Sequence, residues 1–345
     1  LGRPLGFMSG WASFVVGFPG SLATLAAAFV LTFDKGGDQG VVWPLMVIAA
    51  VTLISLCPIR LGATLNGIVT VTGISLLLFV ISNIPGEVRF DEPGFELSAM
   101  GAAIVPVYFS YSGWNVITYI SAECDHPRRT IPMALLVGIG FVAILYILFN
   151  RAVLSSVTPE VLNEGIKGLL PVMVHALGWC GVWGVPLILL AGVGTTLVST
   201  ALAGPRLTCE MAERGDFFPW LALRSPSTGV PVRATLVQGG LAAILVTTGT
   251  FDELLAWTTG TMLAFGVCMG VAQIVLRYRD GRTPGVDSVF RDPLFPLSAL
   301  CMILLCGAVL VMGVYRGEAG HMLAGLALVL CGLPLHYYVR RPRKG

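Results

Sequence analysis

Charge is scarce in this chain. Only 12% of its 345 residues are Asp, Glu, Lys or Arg, about half the share usual in a soluble domain. No such residue lies deep inside any of its long apolar stretches. Charges in that position usually mark proton relays and counter-ions, so any polar ligand held there must be met by backbone rather than by ionised side chains. The net charge of +2 and the lack of any basic run outside the C-terminal "RRPRK" exclude nucleic acid as a partner. The eight cysteines contain no CxxC pair, and most fall in apolar stretches or at their ends. They read as small buried residues, not as a disulfide framework or metal site. The four histidines, His126, His175, His321 and His336, show no ligand spacing. With no nucleophile–base pair or metal cluster among the apolar stretches, enzymatic function is the least favoured reading and no cofactor is expected.

What the chain has instead is apolar length. It is 55% hydrophobic, with a mean hydropathy of +0.84. A membrane-spanning helix needs about 20 mostly apolar residues. Ten stretches qualify: Trp11–Phe33, Val41–Cys57, Leu61–Ile81, Leu97–Glu123, Pro132–Asn150, Gly181–Ala203, Val232–Thr248, Leu254–Val275, Phe295–Tyr315 and Met322–Tyr338. The second is short and calls for tilt or extension. The first is too long for a signal peptide and has no basic region leading to a small-residue cleavage site. With the N-terminus in the cytoplasm and the spans alternating, only Lys35, Arg89, Arg151, Lys167 and Arg316 of the 21 basic residues fall outside. The other sixteen fall on the cytoplasmic side, as the positive-inside rule requires. The expectation is an all-α, multi-pass protein of a cell membrane (inner or plasma), a single polytopic domain over residues 1–345 with both termini cytoplasmic.

The fourth stretch contains "FSYSGWN", residues Phe109, Ser110, Tyr111, Ser112, Gly113, Trp114 and Asn115, in the middle of a span. Several of these are poor helix formers. In hydrocarbon every backbone polar group must find a partner, so a break is tolerable only where it faces protein or a water-filled cavity. The exposed helix ends carry partial charges, negative on carbonyls and positive on N–H groups. Discontinuous helices of this kind build midplane sites in secondary transporters. The plainer reading is a kink at Pro106 with Gly113 serving close packing. Pro19, Pro44 and Pro186 read as kinks. A charge-free interior suits a zwitterion with a neutral side chain better than a dicarboxylate or polyamine.

"FSYSGWNVITYISAECDHPRRTIPMAL" resembles the sixth helix and following loop of the amino acid–polyamine–organocation superfamily, nearest its L-type amino acid transporter branch. "AGPRLTCEMAERGDFFPWLALRSPSTGVPVRATLVQG" resembles that superfamily's eighth helix and the loop into the ninth. "FPGSLATLA" is similar to its third. The resemblance covers essentially the whole chain. It implies a LeuT-type inverted-repeat fold with the family's third to twelfth helices present. Residues 1–83 would then be a partial first repeat, 84–277 the second five-helix repeat, and 278–345 two extra helices. It implies that the carbonyls of Phe109 and Ser112 hold a substrate ammonium group and that the Phe109 ring gates the site. Tyr111, Gly113 and Asn115 would line the break, with Ser110 and Trp114 completing the set. The family's first helix, which carries a Gly-Ser-Gly break for the carboxylate, and its second helix have no counterpart, so the chain reads as a fragment. Many members carry a lysine in the fifth helix where Gly73 stands here, which leaves the coupling ion open between H+ and Na+. Ser199 and Thr200 are candidates for a sodium site, against the plainer reading of hydroxyls that serve helix packing. Some L-type relatives link to an accessory chain through an outer-loop cysteine, and "DKGGDQG" has none.

The function expected is secondary active transport of neutral amino acids by alternating access, with lipid and the amino acid as the partners. A channel would want a ring of charges or a symmetric carbonyl filter, and one broken helix supplies neither. A non-transporting receptor or scaffold on a transporter fold, or an inactive fragment of a permease, stays open at this stage.

Overall fold

A computed structural model describes residues 2–33, 40–57, 59–83, 103, 107–119, 126–156, 178–280, 292–315 and 319–339. Among these the chain is helical, with no strand. The helices are α1 (Arg3–Ala12), α2 (Phe18–Phe33), α3 (Val42–Ser55), α4 (Ile59–Asn83), the short α5 (Val116–Tyr119), α6 (Pro127–Ser156), α7 (Trp179–Glu213), α8 (Val232–Thr248), α9 (Phe251–Asp280), α10 (Leu297–Tyr315), α11 (Ala319–Leu330) and α12 (Gly332–Val339).

Seven helical segments are long and apolar enough to cross a membrane, and α3 and α8 are shorter apolar helices. Together they account for nine of the ten expected spans. The fourth is described over 107–119 and at residue 103, and Pro106 lies outside the described residues. The loop at 34–39 and the "RRPRK" tail lie outside them too. The second span is short as expected: α3 has 14 residues, about 21 Å at 1.5 Å per residue.

Pro19 and Pro44 each fall in the first turn of a helix. Pro19 follows a π-helical turn at Ser13–Gly17 that joins α1 to α2. Proline lacks the N–H that would bond four residues back and its ring crowds that carbonyl. The chain absorbs this just upstream, where the Phe18 N–H reaches back to the Ser13 carbonyl. Pro44 makes no kink: it lies in the first turn of α3, where an amide has no intrahelical acceptor and its loss is free. The tenth span is interrupted at Cys331, between α11 and α12. Pro334 sits in the first turn after that joint, which is where proline is tolerated. At the joint the Trp11 indole N–H donates to the Leu328 carbonyl at 3.2 Å.

The core centres on α2. Leu22, Ala23 and Ala26 are almost wholly buried against Ile48 and Val51 of α3, Leu197 and Ala201 of α7, Ala242 and Val246 of α8 and Leu254 of α9. Small residues let backbones approach in a membrane, where association rests on packing rather than on water exclusion. Gly204 of α7 is such a point: a methyl there would collide with the Gln238 side chain and come within 2.7 Å of the Phe18 ring. A second cluster gathers Phe7, Met8, Ala212, Phe217, Leu221 and Val329. Between α9 and α10, Asp292 accepts from the Leu294 N–H and from Gln273 Nε2, each at 2.9 Å, and from the Ser298 hydroxyl. These bonds, the Ser298 hydroxyl foremost, hold its carboxyl below the ordinary carboxylate range and fix where α10 starts.

Candidate functional site

The fourth span is broken at "FSYSGWN". The helix runs regularly into the segment, with the Tyr111 N–H on the Val107 carbonyl four residues back at 3.2 Å. The Ser112 N–H then turns to the Phe109 carbonyl, three residues back, at 2.9 Å. Gly113 takes φ of 89°, a conformation closed to most L side chains but open to glycine. The Val116 N–H reaches the Gly113 carbonyl at 3.0 Å, and α5 starts at Val116. Residues 111–115 form an irregular turn between two helical segments. The positive φ at Gly113 accounts for the loss of helix.

The turn opens onto a cavity of about 960 Å³. Phe109, Ser110, Ser112, Gly113, Trp114 and Asn115 all line it. Tyr111 is not among the lining residues: its ring packs edge-on against Tyr146 of α6, with centroids 5.2 Å apart. Across from the break, α1, the π turn and α2 present Ser9, Ser13, Gly17 and Ser21. The Ser13 hydroxyl donates to its own helix at the Ser9 carbonyl, 3.0 Å away. A third wall is apolar and comes from Met262, Phe265 and Met269 of α9 with Met302 of α10. Among the described lining residues none is Asp, Glu, Lys or Arg. The first half of the broken helix is anchored by Tyr108, which also lines the cavity and packs on the buried Leu263, Cys306 and Val309.

Ser199 and Thr200 are not brought to one point. Thr200 lines the cavity, while its hydroxyl donates to the Thr196 carbonyl at 2.7 Å. The Ser199 hydroxyl accepts from Asn66 Nδ2 of α4 at 3.0 Å. The Ser199 hydroxyl thus joins two helices, while that of Thr200 bonds within its own helix. Gly73 faces α7 so closely that a methyl there would come within 2.7 Å of Ala191 Cβ. Helix contact thus explains a glycine at that position.

Several lining residues escaped the reading of the sequence. Ser9, Ser13, Gly17 and Ser21 recur every four residues, a helix-face stripe that was legible. Tyr146 carried no such signal. It sits in the apolar run "AILYILF", and only the fold brings its hydroxyl to the Ser110 carbonyl, 3.2 Å away.

Known proteins are similar to this chain in sequence. The vacuolar cationic amino acid transporter 4 of Arabidopsis thaliana is 29% identical over 250 residues, covering 68% of this chain and 40% of that protein. The b(0,+)-type amino acid transporter 1 of Mus musculus is 23% identical over 350 residues, covering 96% of this chain and 70% of that protein. The serine/threonine exchanger SteT of Bacillus subtilis (strain 168) is 26% identical over 353 residues, covering 97% and 78%. The chain thus spans between two fifths and four fifths of the length of these relatives. The profile of the family described as amino acid permease matches residues 1–330. With its helical architecture, its broken fourth span and that match, the chain belongs to the amino acid permease family of multi-pass membrane transporters, which are not enzymes.

Proposed function

We propose that the complete protein is a secondary active transporter that moves neutral amino acids by alternating access, with the substrate held at the break in the fourth span. The observation that carries this reading is the irregular turn at 111–115 opening onto a cavity without charged side chains among its described lining. A zwitterion needs a negative partner for its ammonium group and a positive one for its carboxylate. Backbone carbonyls at a helix C-terminal end supply the first, and N–H groups at a helix N-terminal end supply the second. On this reading the Phe109 and Ser112 carbonyls hold the ammonium group and the Phe109 ring closes over it. The methionine-rich wall suits an apolar substrate side chain, because Met adapts to irregular shapes. A cationic side chain would meet no carboxylate among the described lining residues. The coupling ion is H+ or Na+, and Thr200 is the one of the two candidate hydroxyl residues that lines the cavity.

Uptake of radiolabelled leucine, arginine and glutamate into proteoliposomes containing the complete protein tests this. Leucine is expected to be taken up at least about tenfold faster than either of the others, since a buried unpaired charge costs several kcal/mol. Equal or faster uptake of arginine or glutamate would refute the neutral-substrate reading. Imposing a proton gradient or a sodium gradient separately identifies the ion.

The same reading divides the domain into a partial first repeat at 1–83, a second repeat at 84–277 and two further helices at 278–345. It places both termini in the cytoplasm of a cell that carries the protein in its inner or plasma membrane. It includes no disulfide-linked partner chain. A reporter active only outside the membrane, fused after Gly345, is expected to stay silent. A strong signal from it would overturn the topology.

A further inference from the structure

The geometry points to Tyr146 as the positioning residue of the broken helix. The inference rests on the proposed substrate site for its transport consequence, but its structural part stands apart from it. Tyr146 makes two contacts with the break. Its hydroxyl donates to the Ser110 carbonyl at 3.2 Å, and its ring meets the Tyr111 ring edge-on at 5.2 Å and 84°. It also lines the cavity.

These contacts fall where the broken segment most needs them. A helix interrupted within a membrane leaves backbone groups that are met by other protein groups or by water in a cavity. Tyr146 supplies a donor to the residue just before the irregular turn. The ring contact holds Tyr111, the first residue of that turn, out of the cavity. The hydroxyl therefore fixes the position of one peptide unit and the ring the direction of the next side chain. Phe109 and Ser112 flank this clamped pair, and their carbonyls keep a constant separation only while Ser110 and Tyr111 are held.

The clamp comes from a helix whose described residues are mostly exposed, with Leu145, Ala152 and Val153 among the buried ones. Leu136, Val137, Ile139, Ile144 and Ile147 of α6 are exposed to the surroundings, as suits a lipid-facing surface. Tyr146 is a side chain through which α6 reaches the break. A tilt of α6 would pull on the Ser110 carbonyl directly, which makes this contact a mechanical link between an outer helix and the site.

The test uses Tyr146→Phe in the complete protein, which removes the hydroxyl and keeps the ring. Backbone hydrogen–deuterium exchange of the segment 107–116 is expected to accelerate at least about threefold, with exchange in α8 unchanged. The KM for leucine is expected to rise about five- to tenfold, the equivalent of one lost hydrogen bond, with kcat within about twofold of wild type. A merely structural role would lower the melting temperature and the folded yield without changing KM per folded molecule, and that result would overturn the inference. So would unchanged exchange over 107–116. Absence of amino acid uptake by the wild-type protein would sink the transport reading instead. The exchange measurement would still decide for or against the clamp.

Discussion

Gly113→Leu in the complete protein is expected to abolish amino acid uptake, leaving less than about 1% of the wild-type rate. Two effects act together. Gly113 has φ of 89°, and holding a non-glycine residue in such backbone costs on the order of 1–3 kcal/mol. Leucine would relieve that strain by restoring helical φ, which straightens the turn and withdraws its carbonyls and N–H groups into the helix. If the turn holds instead, the side chain enters the cavity that Gly113 lines, since no atom lies within 4 Å of an added Cβ. Either result removes the site. Gly113→Ala separates the two, because alanine carries the strain without the bulk. It is expected to retain measurable uptake at a rate between the wild type and the leucine variant. Uptake by Gly113→Leu at the wild-type rate would show that the break has no part in transport.

Phe109→Ala is expected to lower leucine uptake tenfold or more while leaving the amount of protein in the membrane unchanged. The Phe109 side chain lines the cavity and is only partly buried, so little of the fold depends on it. A ring that closes over a bound substrate buries apolar area in the closed state, worth about 2 kcal/mol, and each 1.4 kcal/mol is a factor of ten. Because the closed state is the one that commits the substrate, the loss should reach kcat as well as KM. Phe109→Tyr keeps the stacking area and is expected to recover most of the rate. Normal uptake by the alanine variant would remove Phe109 from the site.

The break was legible because its chemistry is local. Ser, Gly and Asn inside a span are costly unless they do something, and a glycine's positive φ is written in the residue itself. The serine and glycine stripe at Ser9, Ser13, Gly17 and Ser21 went unread, although its four-residue spacing lies in the sequence. Other parts of the site depend on contacts between distant segments. Tyr146 meets Ser110 from 36 residues away, and Asn66 meets Ser199 across 133. No window on the sequence contains either pair. Pro44 shows a local rule applied without its position: proline bends a helix interior but is at ease in a first turn, and the boundary that decides between them is the least certain feature of a sequence. The joint at Cys331 stayed hidden because an apolar run looks the same whether one helix or two cross it. The wedge that marks the joint, Trp11, comes from the opposite end of the chain.

That wedge also sets an order of events during synthesis. The Trp11 indole and the Leu328 carbonyl are 317 residues apart, and the Phe7 ring lies 5.0 Å from that of His336. At about 5–20 residues per second a ribosome needs on the order of half a minute to travel between them. For all of that time α1 sits in the bilayer with its closing partner unmade. The seam of α1 with α11 and α12 therefore waits for both of those helices, and a nascent chain stalled before α11 can already pack Phe7 and Trp11 on Phe217 but still lacks Leu328 and His336.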